Sequence, residues 1–439
     1  MITLSPFDIN MSEKSNRKAL QDSDHPVNTH AAEFPRSLGF PKPKVAAFTI
    51  NRDRHRIQSI HPSHTPNSGN NKIQFRIPKT HIIDFRKGVF SFEITITPAG
   101  GPATFTRLSF GAYSFIKKFS ILDPKILEEN RAYNKYAAIV YETTSKQGDV
   151  LLTGPTTGAV SAAERTIFSL VANKRYSIGI LSGILNASPF PAKFLEGGDI
   201  MIEFELAPPS DCLETNGPVG SANYTVTNCE LEYDWIDDPD YERFVVRAVN
   251  SGGLNFSSLG AEFYQSNPIT AANQNINITH RSPSVEGIIL TMKPAAFDGN
   301  IQSIDKFLTW QKGNIQTVQI RNGGRLWPQE EFDAIKTFDL WIEYQRMLHK
   351  HSFTGSVPGV ATTITLSDFE TDRFLIYLDL NGVSGDGLIN PIGTSGNNID
   401  MILLLKQTAP PAVVMILDYF VLHWNTVLLK ADGKMHRTA

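Results

Sequence analysis

The chain has 439 residues, 41% hydrophobic and 19% charged, with a formal net charge of −3. That is too long for one ordinary domain and enough apolar material for two cores, while a near-neutral total leaves local runs free to differ in sign. Cys212 and Cys229 are the only cysteines; they exclude a disulfide framework and a four-thiolate zinc site and read as free thiols.

In chain order, residues 1–70 lack periodicity and read as an extended N-terminal arm whose start has no apolar core for a signal peptide. Between Lys42 and Lys87 ten Lys or Arg face only Asp53 and Asp84, a net of +8. A solvated face and contact with phosphate, nucleic acid or lipid headgroups are both open readings of that stretch. Strands follow. "FSFEITIT" (90–97) alternates Phe90, Phe92, Ile94 and Ile96 with polar residues, "IMIEFEL" sets Ile200, Ile202, Phe204 and Leu206 on one face, and "YTVTNCELEYDW" does so with Cys229, Leu231, Tyr233 and Trp235. Between them "LEENRAYNKYAAIVYE" (127–142) predicts a helix. Asp123 would cap it, Pro124 open it, and Glu128 and Glu129 face its dipole, with a stripe of Leu127, Tyr133, Tyr136, Ala137 and Val140.

The second half repeats the plan. "PQEEFDAIKTFDLWIEYQRM" from Pro328 predicts a second helix with the stripe Phe332, Ile335, Phe338, Ile342 and Leu348. "ITPA" ending at Ala99 answers "MKPA" ending at Ala295, "FSIL" (119–122) answers "VQIR" (318–321), and Met201 and Ile202 answer Met401 and Ile402. Each half closes on a Trp-containing strand, "ELEYDWI" and "FVLHWNTVLL". An offset held near two hundred residues predicts a tandem duplication of one β-sandwich. The sandwiches span 71–238 and 239–430, with a seam in "IDDPDYE" (236–242) and a tail at 431–439. Many short strands with one flanking helix suggest jelly rolls, so the expected fold is all-β, two tandem jelly rolls each with a flanking helix. The apolar run 412–422 is broken by Asp418, falls short of a ~20-residue membrane span, and reads as a buried strand.

No convergent catalytic set emerges, and no cofactor or metal ligand is assigned. G-x-S-x-G, H-E-x-x-H, Walker and C-x-x-C patterns are absent from the sequence. His349 and His351 read as complements of a helix C-terminus rather than a metal pair, and Asp379 and Asp386 in "DLNGVSGDG" as a surface loop rather than a calcium loop. The longer segment 381–397, with five glycines, predicts a mobile loop. Sequons begin at Asn186, Asn223, Asn255 and Asn277 and read as chance matches.

Several of these segments resemble parts of one family. "GAYSFIKKFSILDPKILEENRAYNKYAAIV", "FLEGGDIMIEFELAPPSDCLE", "YTVTNCELEYDWI", "IQTVQIRNGGRLWPQEEFDAIKTFDLWIEYQRML" and "RFLIYLDLNGVSG…NNIDMILLL" resemble, in order and spacing, the double jelly-roll major capsid proteins of virophages, adintoviruses and Polinton-like viruses. The likeness covers about residues 70–430. It implies a structural, hexon-like virion protein of a DNA virus without catalytic residues. Its homotrimer would form a pseudo-hexagonal capsomer tiling an icosahedral shell. The partners implied are neighbouring capsomers, penton and minor capsid proteins, and an internal membrane or the genome beneath the basic arm. The alternative is a two-jelly-roll glycan-acting hydrolase or lectin using Asp237, Asp238 and Asp240 at the seam.

Overall fold

The computed structural model describes residues 51–97, 106–144, 174–187, 189–216, 222–280, 285–303, 306–322, 325–334, 339–344, 366–380 and 401–438. Residues 1–50 of the expected arm, His349, His351, Asp386 and the expected loop 381–397 lie outside these residues.

A five-stranded and a four-stranded sheet form the first sandwich. One runs β1 (Asn51–Gln58), β11 (Asn223–Asp237), β4 (Ile82–Thr97), β8 (Lys174–Gly179), with β2 (Ser63–His64) also on β11. The other runs β3 (Lys72–Ile77), β9 (Ile200–Leu206), β6 (Ile116–Asp123), β7 (Lys125–Asn130). A short pair, β5 (Thr106–Ala112) with β10 (Leu213–Thr215), accompanies them. The second sandwich writes the same order again. Its sheets are β12 (Leu254–Gln265), β19 (Met415–Leu429), β14 (Val285–Pro294), β17 (Leu375–Asp379), and β13 (Asn273–Ile278), β18 (Met401–Gln407), β15 (Ile315–Asn322), β16 (Arg325–Asp333).

Taking each half's eight strands B to I in chain order, both read B-I-D-G and C-H-E-F, which is the jelly roll. Within the described strands, the sequence pairs noted above fall on equivalent members: β4 and β14, β6 and β15, β9 and β18, β11 and β19. The expected all-β, duplicated architecture is therefore the observed one.

Alternation places the cores. β9 is buried at every second residue from Ile200 to Leu206, and its Phe204 stacks on Phe90 of the facing sheet with ring centroids 4.6 Å apart. Phe75 meets Phe90 edge-on at 5.7 Å, and Phe92 meets Phe115 at 4.7 Å, so one aromatic layer fills the first sandwich. The broken apolar run at 412–422 contributes to β19, a buried strand as expected.

Four local readings change. Both long helices start later than their sequence suggests. Residues 127–130 form the end of edge strand β7, and 328–333 the end of edge strand β16; helix α1 is Tyr133–Thr144, and 339–344 are helical in the second half. Glu-rich segments favour helix only weakly, and the open edges of β6 and β15 override that preference. Pro328 is tolerated because β16 is an edge, where a missing N–H is harmless. Asp123 caps nothing: it ends β6 and holds Lys79.

Residues 51–58, read as arm, form β1 along β11 in an eight-residue antiparallel register. Their pattern is charge rather than hydrophobicity, which an apolar-period search passes over. The seam is helical: α2 (Pro239–Asn250) follows Asp238, whose Oδ1 accepts from the N–H groups of Asp240 (2.9 Å) and Tyr241 (3.2 Å). The tail turns back at Asp432-Gly433, with Gly433 at φ +67°, and β20 (Met435–Thr438) pairs with β19.

Candidate functional site

The polar and apolar groups of greatest chemical interest gather where the two sandwiches meet. β14 is buried at all its positions and β19 at its first nine. A strand covered on both faces needs two partners. One is its own facing sheet; the other includes Ala132 and α1, whose Tyr136, Ile139 and Val140 belong with it to the second sandwich's core. Tyr136 lies 5.7 Å from the Phe420 ring.

Beside this contact, Asp418 interrupts the apolar strand and accepts from Lys135 of α1 (3.0 Å) and Gln265 (2.8 Å), with Lys293 at 3.2 Å. Lys293 also pairs with Asp298, so two ammoniums and two carboxylates balance. Burial alone would discharge Lys293, but the Asp418 and Asp298 carboxylates outweigh it and hold its ammonium charged. The Lys135 ammonium is pulled down by burial, only partly offset by Asp418.

A cleft of about 660 Å³ opens along the same junction, between Leu127 and Glu128 of β7 and Leu259, Glu262, His423 and Trp424 of β12 and β19. Glu128 is half-buried with its carboxyl shielded from water, which pushes that carboxyl up; yet its oxygens accept from Ser182 Oγ (2.6 Å) and the N–H groups of Gly183 (2.8 Å) and Ile184 (3.1 Å). It therefore caps the short helix at Gly183–Ala187 and is no free acid. Gly183 is needed for contact: a Cβ there would stand 2.5 Å from the Leu259 carbonyl of β12.

At the cleft's edge, Glu262 of β12, His280 just beyond β13 and His423 of β19 bring one ligand-type atom each within 4.8 Å of one another. His280 Nδ1 is 2.7 Å from Glu262 Oε2 and 3.2 Å from the Tyr264 hydroxyl. The hydrogen bond to His280 holds the Glu262 carboxyl down at about 2. His280 Nε2 is buried with no hydrogen-bond partner, a state that costs about 1–3 kcal/mol. Nothing in the one-dimensional pattern marked these residues, since 143 positions separate His280 from His423. Only the pairing of β12 with β19 and the closure of the second sheet over them unite the three.

The basic stretch is largely satisfied within the chain. Arg54 and Arg56 pair with Glu232 at 2.9 and 2.8 Å, Arg52 with Asp84 and Asp234, Lys72 with Glu203 at 2.7 Å, Lys79 with Asp123, and Arg86 with Asp84 at 2.8 Å. Arg76 and Lys87 are exposed. Two register shifts in β11, one at Asn228 with φ +50°, reverse its later alternation. Asp234 is thereby buried and Trp235 half-buried, the reverse of the sequence reading. Trp235 stacks between His55 (3.9 Å) and His81 (4.2 Å).

Among the described residues, the aspartates singled out from sequence have separate places. Asp238 is consumed as a helix cap, Asp240 pairs with Arg243 at 2.9 Å, and Asp237 is the exposed last residue of β11. Asp379 ends β17, half-buried. Cys212 and Cys229 are both buried free thiols, and burial pushes each up to about 12. The four sequon asparagines are all exposed. No described helix is long and apolar enough to cross a membrane.

No known family profile and no curated protein sequence matches the chain. Solved structures do. The Faustovirus major capsid protein is 12% identical with a TM-score of 0.61, covering 95% of this chain and 97% of its own. The PBCV-1 virus capsid structure is 14% identical with a TM-score of 0.58, covering 90% of this chain and 99% of its own. The Sputnik virophage structure is 11% identical with a TM-score of 0.54, covering 95% and 94%. At such identities the likeness is one of fold, and the twice-written strand order agrees with it: the chain has the double jelly-roll fold of these viral capsid proteins.

Proposed function

We propose that the chain is a viral major capsid protein, a non-enzymatic building block of an icosahedral virion shell around a DNA genome. The observation that carries this reading is the duplication: two sandwiches of identical strand order in one chain. Two similar wedges per chain let three chains close a ring of six, the pseudo-hexagonal capsomer. The junction supports the reading, because its charged groups are spent on one another and on a helix cap rather than converging on a substrate.

Neighbouring capsomers, penton proteins and minor capsid proteins are the partners this role requires. The division we propose is an N-terminal arm, two jelly rolls and a terminal β20 hairpin. A contact with an internal membrane or the genome falls to the arm, including Lys42 and Lys44, because most of the basic residues beyond it have acidic partners in their own chain.

Obligate interfaces of this kind commonly bury about 2,000–5,000 Å². Light scattering on the purified protein should therefore give three times the chain mass of 48.7 kDa, and negative-stain images should show hexagonal capsomers. A strictly monomeric species at micromolar concentration would count against the assignment.

A further inference from the structure

We propose that Glu262, His280 and His423 form a binding site for one divalent transition-metal ion of the zinc type, clasping the two sheets of the second jelly roll at the edge of the junction cleft. Two imidazoles and a carboxylate are the donor set that suits Zn²⁺: borderline nitrogen ligands and one hard oxygen, with a fourth position left for water or a neighbouring hydroxyl.

Three observations point to an ion rather than to a hydrogen-bonded cluster. First, the donor atoms already lie within 4.8 Å of one another, against roughly 3.3 Å between ligands of a tetrahedral ion bound at about 2.0–2.1 Å. Side-chain rotation suffices to close that difference. Second, the His280 side chain is only 3% exposed, yet its Nε2 has no hydrogen-bond partner. A buried imidazole donates or accepts at both nitrogens when its surroundings permit, and coordination supplies the missing partner. Third, Glu262 and His423 line the 660 Å³ cleft, giving an ion a route to an otherwise buried site.

The placement gives the ion a structural task. Glu262 and His423 sit on β12 and β19 of one sheet, while His280 follows β13 of the other. An ion bridging them ties the sheets together beside the contact with the first jelly roll. Because it binds the folded chain and the unfolded chain has no preformed site, it raises stability with its free concentration.

The test uses the full chain, stripped with chelator and titrated with ZnCl₂ by calorimetry and with CoCl₂ by visible absorption. One Zn²⁺ per chain, a melting temperature that rises with free Zn²⁺, and the intense d–d bands of four-coordinate cobalt without thiolate charge transfer are expected. His280→Gln and His423→Gln should each weaken binding at least about 100-fold, beyond the 10–100-fold cost of losing an outer-shell contact. Should both variants misfold, Glu262→Gln at the partly exposed cleft edge supplies the same comparison, and the cobalt spectrum of the unaltered chain stands by itself. Stoichiometric binding that survives these substitutions would place the ion elsewhere and overturn the proposal. So would a weak octahedral cobalt spectrum, or an unaltered chain that binds no Zn²⁺.

Discussion

Replacing Asp418 by Asn tests how the two jelly rolls are held together. The change keeps the side chain's shape and removes one charge from a balanced quartet of Lys135, Lys293, Asp298 and Asp418. Lys293, whose side chain is 9% exposed, keeps only Asp298, whose side chain is 36% exposed. Removing one partner of a buried ion pair costs about 3–5 kcal/mol, because the other charge stays buried. The surviving carboxylate and the partial exposure of Lys135 point to the lower end, about 3 kcal/mol. For a unit of this size each kcal/mol moves the melting temperature by about 2–4 °C, so Asp418→Asn should melt about 6–12 °C lower. The more exposed Asp298→Asn should cost only about 1 kcal/mol. Lys135→Met placed on Asp418→Asn should cost less than the sum of the two single changes, since it removes one of the stranded ammoniums. Differential scanning calorimetry of the unaltered chain, the three single variants and the double variant reads all of this. An Asp418→Asn protein melting within a degree of the unaltered chain, or strict additivity with Lys135→Met, would refute the account.

Deleting residues 1–48 should leave cooperative melting intact, whereas deleting 1–60 strips β1 from β11, uncovers Asp234, and should yield aggregated or non-cooperative material by calorimetry and light scattering. Gly183→Ala, which sets a methyl 2.5 Å from the Leu259 carbonyl, should destabilise by about 1–3 kcal/mol in urea unfolding, the usual cost of overpacking; a neutral result would mean that the junction yields there. Asp84 is buried, but the Arg86 and Arg52 guanidiniums hold its carboxyl below the usual aspartate range. The unfolded chain thus takes up the proton first as pH falls, so this contribution is complete above the unfolded value and is lost as pH falls through the lower, folded one. Asp84→Asn should accordingly flatten the acid limb of a stability–pH curve between about pH 5 and 2. Both thiols should resist a disulfide reagent in the native protein and react only on denaturation, as expected for buried groups pushed up to about 12; fast native labelling at either would contradict their placement.

The alternating strands were legible because a half-buried strand writes its burial into every second residue. β9 and the middle of β11, at Cys229, Leu231 and Tyr233, are buried where the alternation put them, and the offset near two hundred residues exposed the duplication without a single contact. The Asp432-Gly433 turn carries a hairpin signal in its own residues, which the reading of 431–439 as a tail passed over. What escaped sequence reasoning depended on a partner distant in the chain. β1 looked aperiodic because its order is ionic: Arg52, Arg54 and Arg56 become a pattern only against Asp234 and Glu232. "LEEN" and "PQEEFD" look helical in isolation, and an open sheet edge, invisible in the sequence, makes them strands. The bulges of β11 reversed the faces of Asp234 and Trp235, since one extra residue changes the phase of everything after it. Glu262, His280 and His423 came together only when strands B and I paired and the opposite sheet closed over them. Local periodicity reports which face is buried, and tertiary structure alone decides which distant side chains share it.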